Sequence, residues 1–202
     1  MIKHNEQRVG IFIDIQNLYH SSKNLFGARV NYKELIKSLV ADRKLIRAMA
    51  YVVKTEQILA AVEQTKVQNG GATDGTQKTT KSETTFFDAL KQAGIELRIK
   101  DIQINADGSK KADWDVGMAV DAMRMVDFLD VIILVTGDGD FCPLVEYLKF
   151  GKGRSVEVAG FSRSTNGKLK EVADEFVALE ELPRLLIRKS GERGSMRRRP
   201  QS

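Results

Sequence analysis

The chain has 202 residues with 42% hydrophobic content and a formal net charge of +5. A chain of this length can bury one substantial core, so we expect a single domain over residues 1–187. Residues 188–202 hold six cations and one anion, so the positive excess lies in this basic tail and the rest of the chain is neutral. The tail can attract polyanions such as RNA, but ends of this composition are more often solvated and unstructured.

Cysteine and histidine are too sparse for two common kinds of site. Cys142 is the single cysteine, which excludes an internal disulfide and a cysteine-rich zinc site, and His4 and His20 lack ligand-like spacing. The first residues are polar, and no apolar run approaches the ~18 residues that span a membrane. We therefore expect a soluble protein of the reducing cytoplasm with no membrane association.

Strand-like and helix-like patterns alternate along the chain. Residues 9–15 are rich in β-branched residues and predict a strand, and residues 32–42 carry apolar side chains at helical spacing. Further strands are predicted at 45–53, 95–102, 131–135, 155–160 and 176–179, and further helices at 56–66, 84–93, 113–128, 141–150 and 169–175. Residues 67–82 contain three glycines and no aromatic residue, which predicts a mobile loop. The alternation predicts an α/β fold whose mainly parallel sheet has helices on both faces.

Acidic residues occur at corresponding places in these units. The residues concerned are Asp14, Asp113, Asp115, Asp138 and Asp140. Each ends a predicted strand, follows one within a few residues, or opens a helix, and parallel sheets form their sites beyond the carboxyl ends of the strands. Carboxylates that lie together repel one another unless a cation neutralises them, and Mg²⁺ prefers oxygen ligands. The pattern therefore indicates a divalent-metal site.

Each acid also has an ordinary structural explanation. Asp14 can cap a loop at the edge of its strand, Asp113 can cap the helix that follows it, and Asp115 can favour the helix dipole. Asp138 and Asp140 can be turn formers at the start of a helix. The convergence of all of them at one predicted edge favours the metal site.

Neighbouring residues can assist such a site. The amide of Asn17 can meet a phosphate, a water or a metal, or it can form a turn. The hydroxyl of Thr136 can orient a water, or the residue can simply end a strand, and Lys111 can meet phosphate or lie in a solvated turn. Trp114 and Met118, which are four residues apart, indicate packing of a helix face more than a platform for stacking bases.

Three motifs resemble the NYN domain family, in particular its bacterial LabA-like branch. They are FIDIQNL at 12–18, KADWDV at 111–116 with AVD at 119–121, and TGDGDFCPL at 136–144. The motifs occur in the family's order, and the resemblance covers residues 9–161. NYN domains belong to the PIN-like superfamily, so the resemblance implies a Rossmann-like sheet and a metal-dependent ribonuclease site.

The resemblance also implies roles for individual residues. Its metal-binding acids match Asp14, Asp115, Asp138 and Asp140, and its asparagine after the first strand matches Asn17. Mg²⁺ or Mn²⁺ would be the metal, RNA the substrate, and a homodimer the assembly by analogy. Asp113 is an extra acid in the second motif, and it either joins the site or caps the helix. Gly139 stands where the family often has serine.

Two other functions compete with the ribonuclease. Toprim domains also place two acids after a strand and bind Mg²⁺, but they require a glutamate at the end of the first strand, where this chain has Asp14. The third possibility is a regulatory module of the same fold that binds RNA or a protein without cleavage. A metal-dependent cleavage assay separates this module from the nuclease.

Overall fold

A computed structural model of the protein describes residues 3–54, 86–101, 103–104, 110–111 and 114–188. The strands are β1 (Arg8–Asp14), β2 (Ala28–Val30), β3 (Lys44–Lys54), β4 (Glu96–Asp101), β5 (Gln103–Ile104), β6 (Lys110–Lys111), β7 (Val131–Val135), β8 (Ser155–Gly160), β9 (Glu175–Ala178) and β10 (Leu186–Arg188). Six of them form one sheet in the order β4-β3-β1-β7-β8-β9, and every neighbouring pair is parallel. The prediction of a mainly parallel α/β sheet is therefore confirmed.

Helices connect the strands of this sheet. They are α1 (Ile15–Phe26), α2 (Tyr32–Val40), α3 (86–92), α4 (Asp115–Met125), α5 (Cys142–Glu146) and α6 (Gly167–Val172). A π-helical turn, Tyr147–Gly151, continues α5. Short 3-10 turns lie at Val126–Phe128, Gly139–Phe141 and Leu179–Glu181. No helix in these parts of the chain is long and apolar enough to cross a membrane.

The sheet separates two hydrophobic cores. Successive side chains of a strand point to opposite faces, and β1 accordingly places Ile11 and Ile13 in one core and Phe12 in the other. The first core packs against α1, α2 and α3, and the second against α4, α5 and α6. Burial on both faces explains why β1 and β7 read as nearly continuous apolar runs.

The chain reverses its direction of winding between β1 and β7. These two strands are neighbours in the sheet, although β3 and β4 come between them in the sequence and lie on the other side of β1. The loops that follow β1 and β7 therefore diverge at a topological switch point, where α/β proteins bind their ligands.

Helix α1 was not predicted from the sequence. Ile15, Leu18, Leu25 and Phe26 recur at helical spacing and pack on the first core, but the polar residues 20–24 interrupt this stripe in the sequence. The helix starts because the side chain of Asp14 accepts a hydrogen bond from the backbone N–H of Asn17, and it ends at Gly27, whose φ of 57° lies in the left-handed region.

Other differences have local causes. Strands β2 and β10 are three residues each and pair antiparallel, and such a long-range pairing leaves no periodic signal in the sequence. The predicted helix 141–150 is divided into a 3-10 turn, α5 and the π-helical turn. The predicted helix 56–66 and loop 67–82 lie outside the described residues, as does most of the basic tail.

Candidate functional site

The carboxyl ends of β1 and β7 place two side chains next to each other. Ile13 pairs with Val135, so Asp14 and Thr136 follow at the same level. The Thr136 hydroxyl donates to Asp14 Oδ2 (3.3 Å), and its oxygen accepts from the backbone N–H of Asp138 (3.2 Å). Thr136 is only 2% exposed. It lies behind the acids and helps to fix Asp14 and the backbone of Asp138, and its proposed role in orienting a water stays a prediction.

Asn17 joins α1 to the loop after β7. Its Oδ1 accepts from the backbone N–H of Gly137 (2.9 Å), and its own N–H donates to Asp14 Oδ1 (3.0 Å). A Cβ at Gly137 would lie 3.0 Å from the carbonyl oxygen of Ser164, so the close approach of these loops leaves little room for a side chain. The asparagine thus holds the two strand ends together and can offer its NH₂ group to a ligand.

Three carboxylates converge in front of these loops. One oxygen each from Asp115, Asp138 and Asp140 lies within 4.8 Å of the others. Asp14 is outside this triplet, but it lines the same pocket of about 310 Å³ as Asp115 and Asp138. The structure therefore gathers four of the predicted acids at one place. Asp113 and the side chain of Lys111 lie outside the described residues.

The triplet fits a divalent cation. All its donors are carboxylate oxygens, which Mg²⁺, Mn²⁺ and Ca²⁺ accept. Two ligands on opposite sides of an ion at a bond length of ~2.0–2.6 Å are ~4–5 Å apart, and the 4.8 Å spread of the triplet matches this separation. The cluster can hold a divalent metal, with Asp14 adjacent in the pocket.

The pKa of Asp14 reflects its burial and its neighbours in the site. Burial raises the pKa of Asp14, the hydrogen bonds from Asn17 and Thr136 lower it, and the charge of Asp138 raises it further. Among the described residues, no ion pair involves Asp14, Asp138 or Asp140. A bound cation would relieve this excess of negative charge.

Two acids also have the structural roles that the sequence allowed. Asp14 is the N-cap of α1, and Asp138 caps the next 3-10 turn by accepting from the N–H of Asp140 (3.0 Å). Helix α4 has its N-cap position at Trp114, which makes no side-chain capping bond, so Asp115 is the first helical residue. Capping uses one oxygen of each carboxylate; the second oxygen of Asp14 also accepts from Thr136, and the second oxygen of Asp138 can face a ligand.

The rest of the pocket is lined by residues that the sequence did not assign to the site. They are Gln16, His20, Ser21, Tyr51 and Trp114. Gln16 and His20 are four residues apart and share one face of α1, so prediction of this helix would have placed them beside Asn17. Met118 is buried in the core as predicted, whereas Trp114 packs against the same core and also lines the pocket.

Comparison with known proteins identifies the family. The NYN domain family matches residues 8–180, and the chain belongs to this family, which is part of the PIN-like nuclease superfamily. The fold and the switch-point site agree with this assignment, and the predicted family is confirmed.

Individual relatives are consistent with it. The low amplitude and bright protein LabA of Synechococcus elongatus is 26% identical over 103 residues, which cover 48% of this chain and 55% of that protein. The chain thus spans about half the length of this curated relative. A crystal structure of a protein of unknown function from Vibrio parahaemolyticus has a TM-score of 0.72 at 27% identity, and the match covers 93% of this chain and 100% of that one.

Proposed function

We propose that this protein is a ribonuclease that hydrolyses RNA phosphodiester bonds with Mg²⁺ or Mn²⁺ held by Asp14, Asp115, Asp138 and Asp140. The observation that carries the proposal is the convergence of three carboxylates within 4.8 Å at the switch point of an NYN domain. The buried Cys142, the one cysteine of the chain, is compatible with action in the reducing cytoplasm.

The chain's own residues would prepare the reaction in the following way. Asp115, Asp138 and Asp140 would hold the ion, which would activate a water for attack on phosphorus and stabilise the leaving oxygen. Thr136 bonds to both Asp14 and the backbone of Asp138, so these two acids maintain a fixed spacing. The NH₂ group of Asn17 would donate to a substrate oxygen. Lys111, which precedes Asp115 in the chain, would attract the phosphate.

A non-catalytic module is the second candidate. The capping roles of Asp14 and Asp138 favour it, because they account for these two acids without any metal. Such a module would use the same fold to bind RNA or a protein partner, and a metal at the acids would then serve binding alone.

The deciding experiment is cleavage of mixed single-stranded and structured RNA with Mn²⁺, Mg²⁺ or EDTA. We expect cleavage with either metal and no cleavage with EDTA. The cleavage rate should fall at least 100-fold in Asp138→Asn, because removal of one carboxylate oxygen weakens binding of the ion. Asp127→Asn is the matched control, since Asp127 is an exposed aspartate at the other end of the sheet. RNA binding without cleavage would replace the nuclease by the regulatory module, and wild-type cleavage by Asp138→Asn would overturn the site assignment.

A further inference from the structure

The pocket is larger than a metal ion requires. Its volume is about 310 Å³, whereas a water occupies roughly 30 Å³ and pockets for small molecules begin at roughly 300 Å³. Its lining combines three acids with aromatic, amide and imidazole side chains. The size and this mixed lining suit one unit that has both a phosphate and a base.

Contacts with its neighbours fix the Trp114 ring in the pocket lining. Its indole Nε1–H donates to the carbonyl oxygen of Val52 (3.0 Å), and its ring meets that of Tyr51 edge-to-face at a centroid distance of 5.6 Å. A Cβ at Gly117 would lie 2.5 Å from the indole Cε3, so the absence of a side chain there lets the ring fold back onto α4. The ring is half-buried and directly precedes Asp115. Because it is already immobilised, stacking on it would cost little conformational entropy.

Two polar side chains line the same pocket as Trp114. Gln16 and His20 project from one face of α1 into the pocket, and the His20 ring is held by an edge-to-face contact with Tyr19 at 5.5 Å. Amide and imidazole groups supply both donors and acceptors, which the edges of unpaired bases require. The Lys100 ammonium lies over the Trp114 ring, 5.8 Å from its centroid, and places positive charge next to this side chain.

Resting on the proposed function, we propose that this pocket binds one unstacked nucleotide of single-stranded RNA, with its base against Trp114 and in contact with His20 and Gln16, while its phosphate faces the acids. A base inside a duplex is stacked and paired, so it cannot enter a pocket beside the acids. The substrate class is therefore single-stranded RNA, and Trp114, His20 and Gln16 are binding residues.

The chain provides its own probe, because Trp114 is the only tryptophan. Its fluorescence is followed with Ca²⁺ in place of Mg²⁺, during titration with a short single-stranded RNA, the same strand in a duplex, the same strand with abasic sites, and the DNA version. We expect strong quenching by the single-stranded RNA and at least tenfold weaker affinity for the duplex and abasic strands. Equal affinity for the abasic or duplex strand overturns the base-binding site, and equal affinity for DNA overturns the assignment to RNA.

Variants test the named residues with a fluorescent label on the RNA. Trp114→Leu keeps apolar packing but loses the flat ring, and we expect roughly tenfold or greater weakening of binding; Trp114→Phe should be intermediate. His20→Ala should weaken binding about fivefold, and His4→Ala, which changes an exposed histidine outside the pocket, should leave it unchanged. Urea unfolding confirms that each variant is folded, and wild-type affinity in folded Trp114→Leu contradicts the proposal.

The two proposals fail separately. Base-dependent quenching without metal-dependent cleavage supports the nucleotide pocket and contradicts the nuclease. Cleavage with equal affinity for base-containing and abasic strands supports the nuclease and contradicts the nucleotide pocket.

Discussion

Acidic residues at the two ends of the parallel sheet have different hydrogen-bond partners. Toward the amino ends of the strands, Asp130 accepts from Arg8 Nε (3.0 Å) and Nη2 (2.8 Å), and the fully buried Glu157 pairs with both terminal nitrogens of Arg43. At the carboxyl ends, Asp14 and Asp138 accept from backbone N–H groups, and Asp14 also accepts from a hydroxyl. Arginines neutralise the first set, whereas Asp14 and Asp138 have no cationic partner in the part of the chain that the structure describes.

This difference separates the acids that arginines pair from the acids that we propose to hold a metal. A buried charge persists only when it is compensated, and Arg43 provides this compensation for Glu157 inside the protein. Acids that converge without a cation cost stability, and such sites cluster where ligands bind. The contrast predicts that changes at the amino end affect folding, whereas changes at the carboxyl end affect the response to metal.

The largest effect on stability is expected from Arg43→Met. This change leaves the buried Glu157 with only the Lys3 ammonium, 4.0 Å away, and also removes hydrogen bonds to the carbonyl oxygens of Leu39 and Val40, so we expect a loss of about 3–5 kcal/mol. Urea unfolding gives the free energy. Adding Glu157→Met to the same chain should recover most of the loss, because both charges are then absent. A loss below about 1 kcal/mol in the single variant would contradict the structural role of the pair.

At the carboxyl end, Asp138→Asn should separate stability from metal response. Asparagine caps a turn as well as aspartate does, so unfolding in EDTA should change by less than about 1 kcal/mol. Mn²⁺ at about 100 times its Kd should stabilise the wild type by about 2.7 kcal/mol, and this gain should disappear in the variant. Thermal or urea unfolding with and without Mn²⁺ measures both quantities, with Asp127→Asn as the control. A variant that retained the full Mn²⁺ stabilisation would place the ion elsewhere.

A third prediction concerns the loops that carry the acids. A Cβ at Gly139 would lie 2.6 Å from Asn166 Nδ2, and Asn166 caps α6, so Gly139→Ala should cost about 1–3 kcal/mol and shift Asp138 and Asp140. Gly167→Ala is the matched control, because nothing lies within 4 Å of a Cβ at that position and alanine favours the first turn of α6. Urea unfolding of both variants tests the clash, and equal stability of the two would show that Asn166 moves aside at no cost.

The sequence predicted the parts of the fold that depend on periodicity. Strands β7 and β8 were predicted with the observed bounds because burial on both faces produces continuous apolar runs. The acids were predicted to converge because parallel strands end at a common edge, and β1 and β7 are indeed neighbours. Helix α1 was missed because the polar residues 20–24 interrupt its apolar stripe, and the pocket residues that it carries were missed with it. The role of Trp114 depends on the space at Gly117 and on the carbonyl of Val52, neither of which the sequence alone indicates.

The smallest predicted effect lies at the amino end and depends on pH. Hydrogen bonds from Arg8 lower the pKa of Asp130 to about 2, below the ~3.9 of an unfolded aspartate. Between these two values the unfolded chain binds more protons than the folded protein, so the stabilisation is complete above pH ~4 and is lost as the pH falls toward 2. Asp130→Asn should therefore flatten the decrease in stability between pH 4 and 2, measured by urea midpoints with Asp127→Asn as the control. The effect should be small because both partners are partly exposed, and it should persist in EDTA, since this acid is compensated by arginine and not by a metal.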